Sequence, residues 1–386
     1  MNKLNLIGPV EFLKKCVEYY SPSGEEKDFS LFLSKLLRNS QFNVSFDKVG
    51  NLIAEKGGGM PTLLLSSHLD TIPGKLPIYI ENGFLYGRGS VDCKASLAAI
   101  IYSLLNLDND VFSKGTIIFG GIIREEERLI GIQEFLKRDF TPDYALFGEP
   151  TGINQICIGY KGRISMNFRV LTKTGHVASS WQYFNAIEIC IEIWNIIKLS
   201  CWRLNKNMSG ENKKNNFFNK IIPNLTCMSG GELSNCVPSE AKIQVDIRFP
   251  PKFTSEDILD VIRNDILNFK ILFERENNFN LSIKEEINSL VEAYSIMGNN
   301  LIANALRWAI YKVTKVKPKL IKKTGTTFIN NIGKHYSIPS ITYGPGDPKL
   351  EHTDNENINI QEYLNCIKVY NSFYKKFFEL YKKEHI

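Results

Sequence analysis

Short, nearly continuous apolar runs alternate with amphipathic stretches through the first 150 residues. Thr62–Ser66, Thr116–Ile123 and Tyr144–Phe147 contain almost no polar positions. They read as strands buried on both faces of a mainly parallel sheet, since a sheet with one wet face would show period-two alternation. Val10–Tyr20 and Glu25–Arg38 carry apolar residues at helical spacing, with Ser23 and Glu26 placed as a capping box. Lys94–Leu107 predicts a third helix, opening just after Asp92. This alternation predicts an α/β fold, a mainly parallel twisted sheet with helices on both faces.

After Gly159 the period changes. Gly162–Thr172 and Ala241–Arg248 alternate as half-buried strands, while Asn185–Lys198 and Ser255–Asn268 read as amphipathic helices. A strand–helix–strand–helix unit of this kind predicts a compact α+β domain over residues 160–285, inserted into an α/β domain of residues 1–159 and 286–386. The α/β pattern returns with a helix at Asn299–Thr314, strands near Lys319–Lys322 and Ser340–Tyr343, and a terminal helix at Gln361–Lys382. Leu204–Lys220, rich in Asn, Lys and Ser, predicts a mobile loop with no catalytic part.

Composition narrows the class. No stretch reaches the ~20 apolar residues of a spanning helix, and the first residues lack a leader's apolar core, so the expectation is a cytoplasmic protein with no membrane partner. The eight cysteines are scattered without a CxxC spacing, which fits neither a zinc knuckle nor a disulfide scaffold. Net charge is +6, and Tyr311–Lys323 holds six lysines with no acid. Such a run is either a solvated face or a surface for an acidic partner. Nucleic acid is not expected, because no RNP, zinc-finger or helix-turn-helix signature accompanies the lysines.

Chemistry concentrates at strand ends. His68 closes the first apolar strand with Asp70 two residues on; Asp92 stands between a Gly-rich turn and a helix; Glu125, Glu126 and Glu127 follow the second strand; Glu149 follows the third; His352 lies in a loop after SITY. In open α/β sheets functional groups collect at the carboxyl ends of strands. Taken singly, each acid could be a helix cap or a surface group. Together, two histidines and three carboxylates with one bridging would suit two ions of the zinc type about 3.5–4 Å apart, leaving one glutamate as the base.

The motifs HLDTIPG, YGRGSVDCK, the EE pair, GEPT, the GH of the inserted domain and LEHTD stand in the order seen in the di-zinc aminoacylase and exopeptidase family. That family includes acetylornithine deacetylase and succinyl-diaminopimelate desuccinylase. KPKLIKKTGTT and ITYGPGDPKLEHTDNENI resemble most the archaeal hydrolases that release lysine or ornithine from an amino-group carrier protein. The resemblance implies that His68, Asp92 and Glu149 hold one metal and that Asp92, Glu126 and His352 hold the other, with Asp92 bridging. Zinc is the expected ion, with cobalt or manganese able to fit such donors. Glu125 would be the general base, Asp70 would orient the metal-binding histidine, and the Asp92–Cys93 peptide would be cis.

The same resemblance makes the inserted domain a lid or dimerisation domain. From it His176 would reach an active site, often across a homodimer interface, to stabilise the oxyanion. Asn235 and Arg248 would contact substrate, while Gly325, Thr326, Gly344 and Gly346 would shape the pocket for the amino-acid carboxylate. The implied substrate is lysine or ornithine amide-linked to the C-terminal glutamate γ-carboxyl of an acidic carrier protein. The alternatives are a small-molecule N-acyl amino acid deacylase and a non-catalytic metal-dependent binding protein. Two positions depart from the family: Phe328 stands where an Asp follows a GTS-like triplet, and Arg124 stands where an Asp precedes the EE pair, a cation expected to lower the pKa of the base.

Overall fold

The computed structural model describes residues 7–127, 129–206 and 217–385. The chain divides into two compact units, Met1–Gly159 with Ile296–Lys322 and Thr327–Ile386, and Tyr160–Ser295 with Lys323–Thr326.

In the first unit the apolar runs form the middle of the sheet. Its strands run in the order Asn43–Phe46, Leu52–Gly57, Thr116–Ile122, Thr62–His68, Tyr144–Phe147, Ser340–Thr342 and Gln155–Tyr160. Thr62–His68 pairs in parallel with Thr116–Ile122 on one side and Tyr144–Phe147 on the other, and Ser340–Thr342 continues the parallel set. Both faces are covered, as the unbroken apolar runs require. Leu63, Leu65, Ile117 and Phe119 join a cluster with helices Pro9–Glu18, Lys94–Leu105, Leu301–Thr314 and Ile360–His385. On the other face Phe147 meets Phe328 edge-on, 6.3 Å between ring centroids, and Phe135 packs over Gly120.

The second unit is a four-stranded antiparallel sheet in the order Ile222–Gly230, Glu240–Phe249, Gly162–Leu171, Ser282–Val291. Alternate residues Ile164, Met166, Phe168 and Val170, with Ala241, Ile243, Val245 and Ile247, pack under helices Ala186–Lys206 and Ser255–Asn277. The opposite face is polar: Arg163 and Asp246 pair at 2.6 Å, and Arg169 and Glu240 at 2.8 Å.

Several expectations need correction. The sheet of the second unit extends past residue 285, because Ser282–Val291 is its fourth strand. Both of its edge strands escape the sequence pattern: their residues are mostly exposed, so no apolar stripe marks them. Ser23 and Glu26 do not form a capping box. The Ser23 hydroxyl donates to Asp70 at 2.6 Å, and Glu26 accepts from the backbone N–H groups of Gly24 and Arg124. Of the expected loop at 204–220, Phe217–Asn219 forms a 3-10 turn and residues 207–216 lie outside the described residues.

The alternation in the second unit makes a stability prediction. Ile243→Ala, which empties a fully buried position under the helices, should cost about 2–5 kcal/mol. Lys242→Ala, exposed on the other face, should change stability by less than about 0.5 kcal/mol. Chemical denaturation followed by circular dichroism separates the two, and equal losses would contradict the register.

Candidate metal centre

Each candidate group of the first unit is delivered by the end of a buried strand or by a loop pinned to one. His68 is the last residue of Thr62–His68, the Glu125–Glu126 pair follows Thr116–Ile122, and Glu149 follows Tyr144–Phe147. Asp92 precedes helix Lys94–Leu105, and the Asp92–Cys93 peptide is cis. His352 lies beyond Ser340–Thr342 in a left-handed conformation, φ +61°. Because the three strands are adjacent and parallel, their carboxyl ends open on one crevice.

Asp92 is the centre of the arrangement. One of its oxygens lies 3.1 Å from His68 Nε2, and the other lies 3.1 Å from His352 Nε2. Glu149 is 3.8 Å from His68 Nε2, and Glu126 is 3.0 Å from His352 Nε2. Two groups of possible ligand atoms result, one built on His68, Asp92 and Glu149 and the other on Asp92, Glu126 and His352, with all atoms of a group within 4.8 Å of one another. Two ligands about 2.1 Å from a tetrahedral ion stand roughly 3.4 Å apart, so these separations fit a divalent cation in each group. Cys93 also falls in the first group, but burial pushes its thiol up to about 12 and it lies 2.9 Å from the Ser67 hydroxyl.

Around these donors a set of buried partners fixes orientation. His68 Nδ1 lies 2.9 Å from the Asp70 carbonyl, nearer than the Asp70 carboxylate at 3.5 Å. Asp70 therefore acts on His68 through its main chain first. Its carboxylate accepts from the backbone N–H groups of Glu125 and Glu126, both at 3.0 Å. Glu149 accepts from the Thr327 hydroxyl at 3.1 Å. Glu356, 1% exposed, accepts from the N–H groups of Val91 and Asp92 and pairs with Arg88 at 2.9 Å. Thr327, Arg88 and Glu356 were not evident from the sequence, where each is an ordinary polar residue in a loop; only burial reveals them.

The electrostatics follow from crowding. Burial works against ionisation of Asp92, yet the two histidines outweigh it and hold its carboxyl below the usual range. Burial pushes Glu125 up to about 8, opposed by His68 and reinforced by the carboxylates of Glu126, Asp70 and Asp92. Burial likewise raises Glu126 and Glu149. Hydrogen bonds to Asp92 and Glu126 raise His352 to about 10. So many carboxylates in one crevice call for cationic charge beyond two imidazoles. The expected lowering of Glu125 by Arg124 is not found: the Arg124 guanidinium packs over Gly24 and stands 3.7 Å from Glu127 instead. Phe328, the other departure, is 1% exposed and fills the core beside Phe147.

The remaining candidates fall elsewhere. Gly344 sits where the chain runs against helix Lys94–Leu105: a Cβ there would lie 2.0 Å from Ser96 Oγ and 2.7 Å from the Glu149 carbonyl. The Gly346 N–H donates to Glu362 at 3.1 Å. In the second unit, Arg248 donates to Asp246 at 2.6 Å and to Thr326 at 2.9 Å, which brings two candidates together. Gly325 has open space where a side chain would stand. His176 is exposed, with its Nδ1 accepting from the Ala178 N–H, and the main-chain carbonyl of the exposed Asn235 accepts from the Val177 N–H.

Residues 64–376 match the sequence pattern of Peptidase family M20/M25/M40. A Pyrococcus furiosus protein named "Putative LysW-lysine/LysW-ornithine hydrolase" is 34% identical over 93% of this chain and 94% of its own. A Sulfurisphaera tokodaii protein named LysW-lysine/LysW-ornithine hydrolase is 29% identical over 93% of each. Among solved structures, an M20 family metallo-carboxypeptidase from Sulfolobus solfataricus superposes with a TM-score of 0.78 at 18% identity, covering 97% of this chain and 100% of that one.

If the two groups hold cations, zinc supplied at about 100 times its dissociation constant should stabilise the fold by roughly 2.7 kcal/mol, seen as a raised melting temperature. Asp92→Ala removes the shared donor and should abolish the shift; an undiminished shift would place cation binding elsewhere.

Proposed function

Because the chain belongs to peptidase family M20/M25/M40, we propose that it is a metal-dependent amide hydrolase that frees lysine, ornithine or both from an amino-group carrier protein. The bond cut joins the amino acid's α-amino group to the γ-carboxyl of the carrier's C-terminal glutamate. The reaction belongs to lysine and arginine biosynthesis in the cytoplasm. The names carried by its relatives support this substrate. The observation that carries the chemistry is that the two oxygens of Asp92 face different histidines while Glu125 belongs to neither donor group.

His68, Asp92 and Glu149 would hold one divalent ion and Asp92, Glu126 and His352 a second, zinc in the first place and cobalt as the alternative. When bound, such ions polarise the amide carbonyl and bring a water's pKa towards neutrality. Glu125 takes the proton from the attacking water and returns it to the departing amine nitrogen. Burial and the neighbouring carboxylates raise Glu125 when no cation is present; cationic charge in the two donor groups would offset that rise and favour the ionised carboxylate that accepts the water's proton. Asp70 accepts the amide N–H groups of Glu125 and Glu126 and so keeps the base beside the donors. Family resemblance supports the roles of His176 as oxyanion donor in a homodimer, of Asn235 and Arg248 in substrate contact, and of Gly325, Thr326, Gly344 and Gly346 in the carboxylate pocket. The acidic carrier would meet the lysine-rich Tyr311–Lys323 segment, where Lys312 and Lys376 flank Trp308 at 4.9 and 5.1 Å.

Hydrolysis of synthetic carrier conjugates of lysine and ornithine, beside acetyllysine and acetylornithine, tests the proposal. The conjugates should be cleaved and the acetyl compounds poorly, chelation should abolish turnover, and Glu125→Gln should lower kcat by about 10²–10⁴-fold. Acetylornithine cleaved as fast as the conjugates would make the protein a small-molecule deacylase. Metal-loaded protein inert to every amide would make it a binding protein.

A further inference from the structure

The segment Ser21–Glu26, whose Ser23 and Glu26 have the spacing of a capping box, touches the loop that carries Glu125. Four successive backbone N–H groups of that loop are each taken by a side-chain oxygen: Ile123 by Asn51, Arg124 by Glu26, and Glu125 and Glu126 by Asp70, all at 3.0 Å. Strands and helices satisfy their amides from other backbone groups, so such a run marks a loop held from outside by side chains. Arg124 is in the left-handed region, φ +56°, which a long side chain seldom adopts without support.

The loop borders a cavity of about 350 Å³, walled by Gly24, Glu26, Leu31, Phe46 and Arg124 among others. Hydrogen bonds from side chains therefore hold the loop beside that open space. Glu26 is 4% exposed, and its two oxygens tie the N–H of Gly24 to that of Arg124, the residue immediately before the base. Ser23, three residues earlier, donates to Asp70 at 2.6 Å, so one short segment supplies Glu26 and holds Asp70, two of the loop's three acceptors.

We infer that Glu26 is a positioning residue: by accepting the Arg124 N–H it holds the backbone turn that aims the Glu125 carboxylate at the reacting water. The inference rests on the reading of Glu125 as the proton carrier. Loss of a partner of this kind typically costs 10–100-fold in activity.

Two conservative variants separate reach from charge. Glu26→Asp keeps the charge and withdraws the oxygens by one methylene; Glu26→Gln keeps the reach and one accepting oxygen for the Arg124 N–H, and gives up the charge and the second acceptor, which takes the Gly24 N–H. On zinc-loaded enzyme with the carrier–lysine conjugate, Glu26→Asp should lower kcat by about 10–100-fold with KM and metal content unchanged, while Glu26→Gln stays within a few-fold of the native enzyme. Wild-type kcat in Glu26→Asp overturns the inference. So does a Glu26→Gln enzyme more impaired than Glu26→Asp, which would place the contribution in the charge or the Gly24 contact rather than in reach to Arg124, or a fall that follows loss of bound metal. Glu125→Gln assayed in parallel keeps the two claims apart: if it stays active the base assignment fails, and if only it is inactive the failure belongs to Glu26.

Discussion

The site of this protein is organised around one buried carboxylate that faces two imidazoles. Asp92 faces His68 and His352 at the same time while its backbone is anchored, since Glu356 accepts its N–H and that of Val91 and is itself paired with Arg88. Remove the two imidazoles and Asp92 is a buried charge with no compensation, a state that costs several kcal/mol. Burial first, and the neighbouring carboxylates after it, raise Glu125, Glu126 and Glu149 when no cation is near. The crevice is thus a place where the fold concentrates negative charge, and a divalent cation in each donor group is the economical way to neutralise it.

That concentration is made affordable by the sheet. Three parallel strands buried on both faces end side by side, so His68, Glu125 with Glu126, and Glu149 need no long loops to meet. The helices behind them contribute a core of fully buried side chains, and that rigidity is what keeps donors on separate segments at hydrogen-bond distance. Side-chain acceptors then finish what the sheet begins: Asn51, Glu26 and Asp70 take the amides of the loop between Ile123 and Glu126.

Much of this was legible in the sequence, and the reason is physical. Apolar runs too short for helices and too continuous for wet sheets announce a parallel core, and an acid or histidine at the end of each run points to a crevice. The supporting residues were not legible. Glu26 has the spacing of a helix cap, and only the tertiary structure shows its carboxylate turned to Arg124. Glu356 stands in an ordinary polar loop, and nothing local tells that it is buried. The edge strands Ile222–Gly230 and Ser282–Val291 pair through their backbones while their side chains stay exposed, which leaves no hydrophobic period to read. Arg124 misled through its charge, because its side chain turns to Gly24 and Glu127 rather than to the neighbouring Glu125.

The most direct measurement is diffraction from zinc-soaked crystals collected on both sides of the zinc absorption edge. The account predicts two anomalous peaks per chain, about 3.5–4 Å apart, one on each side of the Asp92 carboxylate. A single peak, or peaks that leave Asp92 or His352 uncoordinated, would contradict it.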